Sequence, residues 1–214
     1  CRKSIMIYLT YLVSCFVAVF VIVDPFAVIP VYLTVTADAS DEERRVMRRK
    51  ANVVAFFILI SFAITGTTIF NLFGITLPAF QIAGGILLLL LGISQLNAKP
   101  NRLRLDEQSE SMEKHDISVF PLATPLLAGP GAISTVVLQS SEATNLGKLA
   151  MLCTAIFITL FISNLILKTS KHLQKIMGKT GLNILTRVMG IILTAIAVQH
   201  ILTGVEKAIK VMNF

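Results

Sequence analysis

The sequence predicts an all-helical membrane protein of six spans, built as two inverted three-helix repeats in which spans one and four are broken. Three observations carry that expectation. Six stretches, roughly 5–36, 51–70, 77–96, 117–140, 147–167 and 183–204, are long and apolar, and a span needs ~20 mostly apolar residues. Charged residues are only 14% of the chain and crowd between those stretches, whereas a soluble domain carries about a quarter. Two landmarks also recur at one offset: Pro25 and Pro130 lie 105 residues apart, and so do Gly85 and Gly190.

Span one is too long to be one straight helix. Its 32 residues would rise ~48 Å against a hydrocarbon core of ~30 Å. Asp24-Pro25 is where it should break, because proline lacks the N–H and opposes a helix running through it. The pair also reads as a helix start, with Asp24 as N-cap and Pro25 as first helical residue. The charged segment 38–50 should begin a cytoplasmic helix, capped by Ser40 ahead of Asp41, Glu42 and Glu43. Span two carries Thr65-Gly66-Thr67-Thr68, and span three carries Ala79, Ala83, Gly84, Gly85 and Gly92. Small residues of this kind let helices approach closely in lipid.

The polar loop 97–116, with Asp106, Glu107 and Glu110, reads as solvated surface between a first repeat (1–96) and a second (117–214) of one transmembrane domain. Span four holds Pro121, Pro125, Gly129, Pro130 and Gly131. So many breakers are tolerated in lipid only where protein or water satisfies the freed backbone groups. Spans five and six are more regular. Cys15 and Cys153 fall within spans and read as small apolar residues. Arg2-Lys3 ahead of an apolar run resembles a signal peptide, but no small-residue cleavage site follows, so the run is expected to be a true span. Beyond the proline and glycine pairs, the same offset matches Ala18 with Ala123, Ala27 with Ala132, Leu33 with Leu138 and Leu88 with Leu193.

The net charge of +7 does not point to nucleic acid, since the basic residues sit in loops without an aromatic-interleaved patch. They set topology instead. The loops 37–50, 97–116 and 168–182, with Arg187 at the mouth of span six, hold fourteen basic residues against five on the other side. The positive-inside rule then places both termini outside the cytoplasm of a multi-pass prokaryotic cell membrane protein. Three spans per half invert the second half relative to the first.

At these residues the chain resembles the MarC/SnatA family of six-span membrane proteins, over essentially its whole length. The resemblance rests on Asp24-Pro25 with Pro30, on Ala83-Gly84-Gly85-Ile86-Leu87-Leu88, and above all on the run Pro121 to Ile133, PLATPLLAGPGAI. Gln199 and Gly204 match the family's end of span six. Ala27 stands where the family's usual first motif, Asn/Asp-Pro-x-Gly, has glycine. The resemblance implies a secondary transporter of small neutral amino acids, glycine and alanine being typical.

The residues sharpen that expectation. Asp24 can cap its own half-helix, whereas Gly129 has no side chain with which to cap the next one. The amides of Gly131, Ala132 and Ile133 after Pro130 then face outward, and such a helix end attracts anions. The expected substrate site is Asp24, Pro25, Gly129, Pro130, Gly131, Ala132, Ser134 and Thr135. The bare helix end would take the carboxylate, and Gly129 and Gly131 would admit it closely. Asp24 would face the ammonium or a coupling proton or sodium ion. A small zwitterion and the lipid bilayer are the expected partners, without a further cofactor. Asp24 can equally be an N-cap and nothing more, although an acid inside a span is a functional hypothesis by default. Gln81, Asn164 and Gln199 read either as cavity-lining groups or as links between helices. Arg187 reads as an anchor at the membrane mouth, and His200 as an interfacial residue.

Three rival functions stay open: a channel or an exporter of another small solute, an intramembrane enzyme, and a scaffold without transport. A channel calls for polar or charged pore rings, and the spans carry little charge. An enzyme is not expected: the three histidines, His115, His172 and His200, sit in no HExxH, no GxSxG is present, and Asp24 is the one acid well inside a span.

Overall fold

Among the described residues (2–37, 39–97 and 118–212) a computed structural model shows helices joined by short turns, with no strand. In order these are α1 (Arg2–Val23), α2 (Pro25–Val35), α3 (Asp41–Phe73), α4 (Leu77–Leu96), the π-helical α5 (Ser118–Leu127), α6 (Pro130–Ser141), α7 (Leu146–Lys168) and α8 (Ser170–Met212). Five helical segments are long and apolar enough to cross a membrane: Met6–Val35, Asp41–Gly66, Leu77–Leu96, Leu146–Lys168 and Thr180–Lys210. Large apolar side chains such as Phe57, Ile64, Phe157, Phe161, Ile191 and Leu202 point outward. Such a surface suits lipid and would be an aggregation hazard in water.

The fourth apolar stretch, 117–140, is broken as expected, and the new feature is the winding of its first half. It consists of two half-helices, α5 and α6, separated at Ala128-Gly129. Two prolines four residues apart remove α-helical donors and crowd the carbonyls four residues back. The wider i→i+5 winding of α5 is the local answer, and at its end the Ala128 amide bonds the Ala123 carbonyl at 2.8 Å.

The second span also starts earlier than hydropathy suggests. The charged segment is no separate helix; α3 runs unbroken for 33 residues from Asp41. Its start is a reciprocal capping box: the Ser40 hydroxyl accepts from the Glu43 amide at 3.3 Å, and the Ser40 amide donates to the Glu43 carboxylate at 2.7 Å. The acidic cluster of the loop at 98–117 lies outside the described residues.

α6 is the centre of the bundle. Gly131, Ala132 and every residue from Ser134 to Leu138 are buried. Its polar composition explains the position, because three serines, a threonine and a glutamine are costly against lipid. α1 reaches it through the Tyr11 hydroxyl, which donates to the Gln139 carbonyl at 2.6 Å. α3 meets it where the Ser140 hydroxyl donates to the Ala63 carbonyl. α4 meets it where Ser134 lies over Gly84, leaving 2.9 Å for any methyl placed there.

α4 and α8 run antiparallel, backbone close to backbone. A methyl on Gly85 would stand 2.9 Å from the Ala197 carbonyl and 3.1 Å from the Ile201 amide. A methyl on Gly190 would stand 3.0 Å from the Gly92 carbonyl and 3.1 Å from the Leu96 amide. Adding the offset of 105 to Gly85, Gly92 and Leu96 gives Gly190, Ala197 and Ile201. The two contacts are therefore the same contact, made once from each helix.

Candidate functional site

Asp24 is 2% exposed and stands between α1 and α2 with φ 43° and ψ 67°. That left-handed backbone costs an L-residue ~1–2 kcal/mol, and Asp tolerates it because its short side chain bonds locally. Here one carboxylate oxygen accepts from the Ala27 amide at 3.3 Å and caps α2. The other accepts from Gln95 Nε2 of α4 at 2.9 Å. The cap reading of Asp24 is thus correct, and it accounts for only one of the two oxygens. Pro25, buried, opens α2.

Gln95 is absent from the residues expected at the site, yet the signal is in the sequence. Gly84, Leu88, Gly92 and Gln95 share one face of α4, and the first three are buried. A polar residue in phase with that stripe points inward. The Gln95 carbonyl oxygen is buried and has no hydrogen-bond partner among the described residues.

The second break differs. Gly129 has an ordinary extended backbone and no side-chain cap. Of the three amides expected to be open, that of Ile133 is taken: it donates to the Gly129 carbonyl at 3.0 Å. Gly131 and Ala132 are the amides the cap position leaves without a side chain. The room beside the Gly131 α-carbon is also used. A methyl there would meet a Leu88 methyl at 2.6 Å, with Ile22 and Leu91 methyls at 3.5 Å. The side-chain space of Gly131 therefore belongs to Leu88, and a ligand can approach only from the amide side. Pro130 is exposed and Ala132 buried. Ser134 is buried over Gly84, and the Thr135 hydroxyl is buried without a partner among the described residues.

α4 brings the two breaks together. Leu88 and Leu91 hold the start of α6, and Gln95, one turn beyond Leu91 and ~6 Å along the axis, holds Asp24. Ile22, two residues before Asp24, touches the same start of α6. A bare helix N-terminus, positive in character, and a buried carboxylate are thus both seated on α4.

The other polar residues sort cleanly. Asn164 links helices: its side-chain oxygen accepts from Arg48 Nε of α3 at 2.8 Å. Gln199 is exposed and bonds within its own helix to Thr203, at 3.2 Å. Gln81 is 5% exposed, and its side-chain oxygen is unpartnered among the described residues. Arg187 is exposed and His200 partly buried.

These features define a class, the multi-pass helical membrane protein whose core is made by broken helices. Within it, the chain belongs to the MarC family: the sequence pattern of the MarC family integral membrane proteins matches residues 9–209. It is 39% identical over 202 residues to a UPF0056 membrane protein of Methanocaldococcus jannaschii, covering 94% of this chain and 98% of the relative. It is 36% identical over 207 residues to the UPF0056 membrane protein YvbG of Bacillus subtilis, covering 95% and 98%. It is 32% identical over 193 residues to the UPF0056 membrane protein YhcE of Escherichia coli, covering 89% and 90%. No solved structure matches it.

Proposed function

We propose that this protein is a secondary transporter of small neutral amino acids, working by alternating access across six spans in two inverted repeats, with both termini outside the cytoplasm. The single observation that carries the reading is the pairing of unlike breaks on α4. One break presents buried amides at an uncapped helix start; the other presents a buried carboxylate. An anion-attracting and a cation-attracting point seated on one helix suit the carboxylate and ammonium of glycine or alanine. The reciprocal contacts of Gly85 and Gly190 support the repeat, because they relate α4 to α8 through antiparallel helices. The buried oxygens of Asp24 and Gln95 provide a place for a coupling proton or sodium ion.

The test is uptake of labelled glycine and alanine by proteoliposomes containing the purified full chain, with and without imposed proton and sodium gradients. Saturable uptake stimulated by a gradient is the expected result. Folded protein that moves neither amino acid above empty liposomes would end the reading.

A further inference from the structure

Arg48 belongs by sequence to the basic loop residues that orient the chain, yet it is only 8% exposed. It lies on the interior stripe of α3 with Ala51, Asn52, Ala55, Leu59 and Ala63, all buried. Its Nε donates to Asn164 of α7, and its charge acts at close range on the Tyr32 phenol of α2. Both neighbours are neutral. The ion pairs among the described residues do not include Arg48. With no carboxylate paired to it among the described residues, a buried guanidinium is an expensive arrangement, and its fork of donors matches carboxylate and phosphate oxygens.

Two further observations point to a ligand. Asn52, one turn deeper, is 7% exposed; its amide nitrogen is held by the Arg48 carbonyl, and its side-chain oxygen is buried without a partner among the described residues. An open cleft of about 510 Å³ also lies against this end of α2, with Pro30, Thr34, Arg44, Lys171, Gln174 and Asn183 on its walls. Arg44 is one turn before Arg48 on α3, and its carbonyl accepts from the Tyr32 hydroxyl at 3.1 Å. Arg44 thus puts one basic wall residue a helical turn from the buried Arg48, while Lys171 is paired with Asp41 at 2.7 Å.

We propose that Arg48 is an oxyanion-binding residue, reached through this cleft from the side bearing the basic loops, and that its natural ligand is the carboxylate of a small solute. That this solute is the transported amino acid rests on the transport reading; oxyanion binding does not. Asn52 then offers its free oxygen to a donor on the same solute. Phosphate oxygens have the same chemistry, so a lipid headgroup is the other source to be separated.

The experiment uses the purified full chain in neutral detergent, melted by circular dichroism with increasing sodium acetate, glycine or inorganic phosphate at constant ionic strength. The wild type should gain Tm with at least one of these anions. Asn164→Asp places a resident carboxylate against Arg48. It should melt higher than wild type without added anion and lose the anion-induced rise; Arg48→Gln should lose that rise too. An Asn164→Asp protein that responds to anions as the wild type does would overturn the proposal, without requiring Arg48→Gln to fold. Nanodiscs of phosphatidylcholine with and without phosphatidylglycerol separate the sources. A rise with the anionic lipid alone, lost in Asn164→Asp, keeps the oxyanion site and assigns it to lipid, overturning the solute. No rise with any solute or lipid overturns it entirely. An anion response without amino-acid flux would sink transport and leave the Arg48 site standing.

Discussion

The breaks at Asp24-Pro25 and Gly129-Pro130 lie 105 residues apart in the sequence and solve the same backbone problem in opposite ways. Each exposes a helix N-terminus inside the membrane, where unpaired amides are costly. The first break brings its own acceptor, at the cost of a left-handed residue. The second brings none and keeps an unstrained backbone. The asymmetry is that the protein finishes the first helix end with its own side chain and leaves the second without one.

Four substitutions break or sharpen this contrast. The largest effect is expected from Asp24→Asn, which keeps the shape but removes the charge. Uptake should fall to background and its pH dependence should vanish; normal flux in proteoliposomes would reduce Asp24 to a cap. Next is Gly129→Ser, which gives the second break a cap like the first. Uptake should weaken through a higher KM, while stability moves by only a few tenths of a kcal/mol, as read by uptake kinetics and melting in parallel. Gly131→Ala drives a methyl toward Leu88 and should cost ~1–3 kcal/mol. Leu88→Val in the same chain should recover most of the lost Tm. The smallest effect is expected from Thr135→Val. Removing a buried hydroxyl without a partner should leave melting unchanged or slightly raised, and a rise in KM for glycine alone would place that hydroxyl on the substrate.

Much of this was legible in the residues. The break at Asp24, the bare cap at Gly129, the cap at Ser40 and the close packing of the small residues of α4 follow from local chemistry that tertiary packing did not override. Other features were hidden for identifiable reasons. Hydropathy placed Arg48 in a loop because it weighs a charge regardless of phase, although Arg48, Asn52, Ala55 and Leu59 share one helix face. Gln95 was hidden likewise, as a polar residue near a helix end. The filling of the Gly131 space by Leu88 has no local signature, since the two residues meet only when α4 docks on α6. The π-winding of α5 arises from two prolines competing with the same turn, which marks a disturbance but not its geometry.

The seam between α4 and α8 has a mechanical meaning. Where glycine lets one backbone lie against another, no flexible side chains remain between them to take up motion. Sliding α4 along α8 would push Ile201 and Leu96 out of the spaces that Gly85 and Gly190 leave for them. The two helices must therefore travel as one stiff member. Leu88, Leu91 and Gln95 all belong to that member, so both breaks are seated on the same axle. On the transport reading proposed above, opening to either side of the membrane would come from the half-helices turning against it.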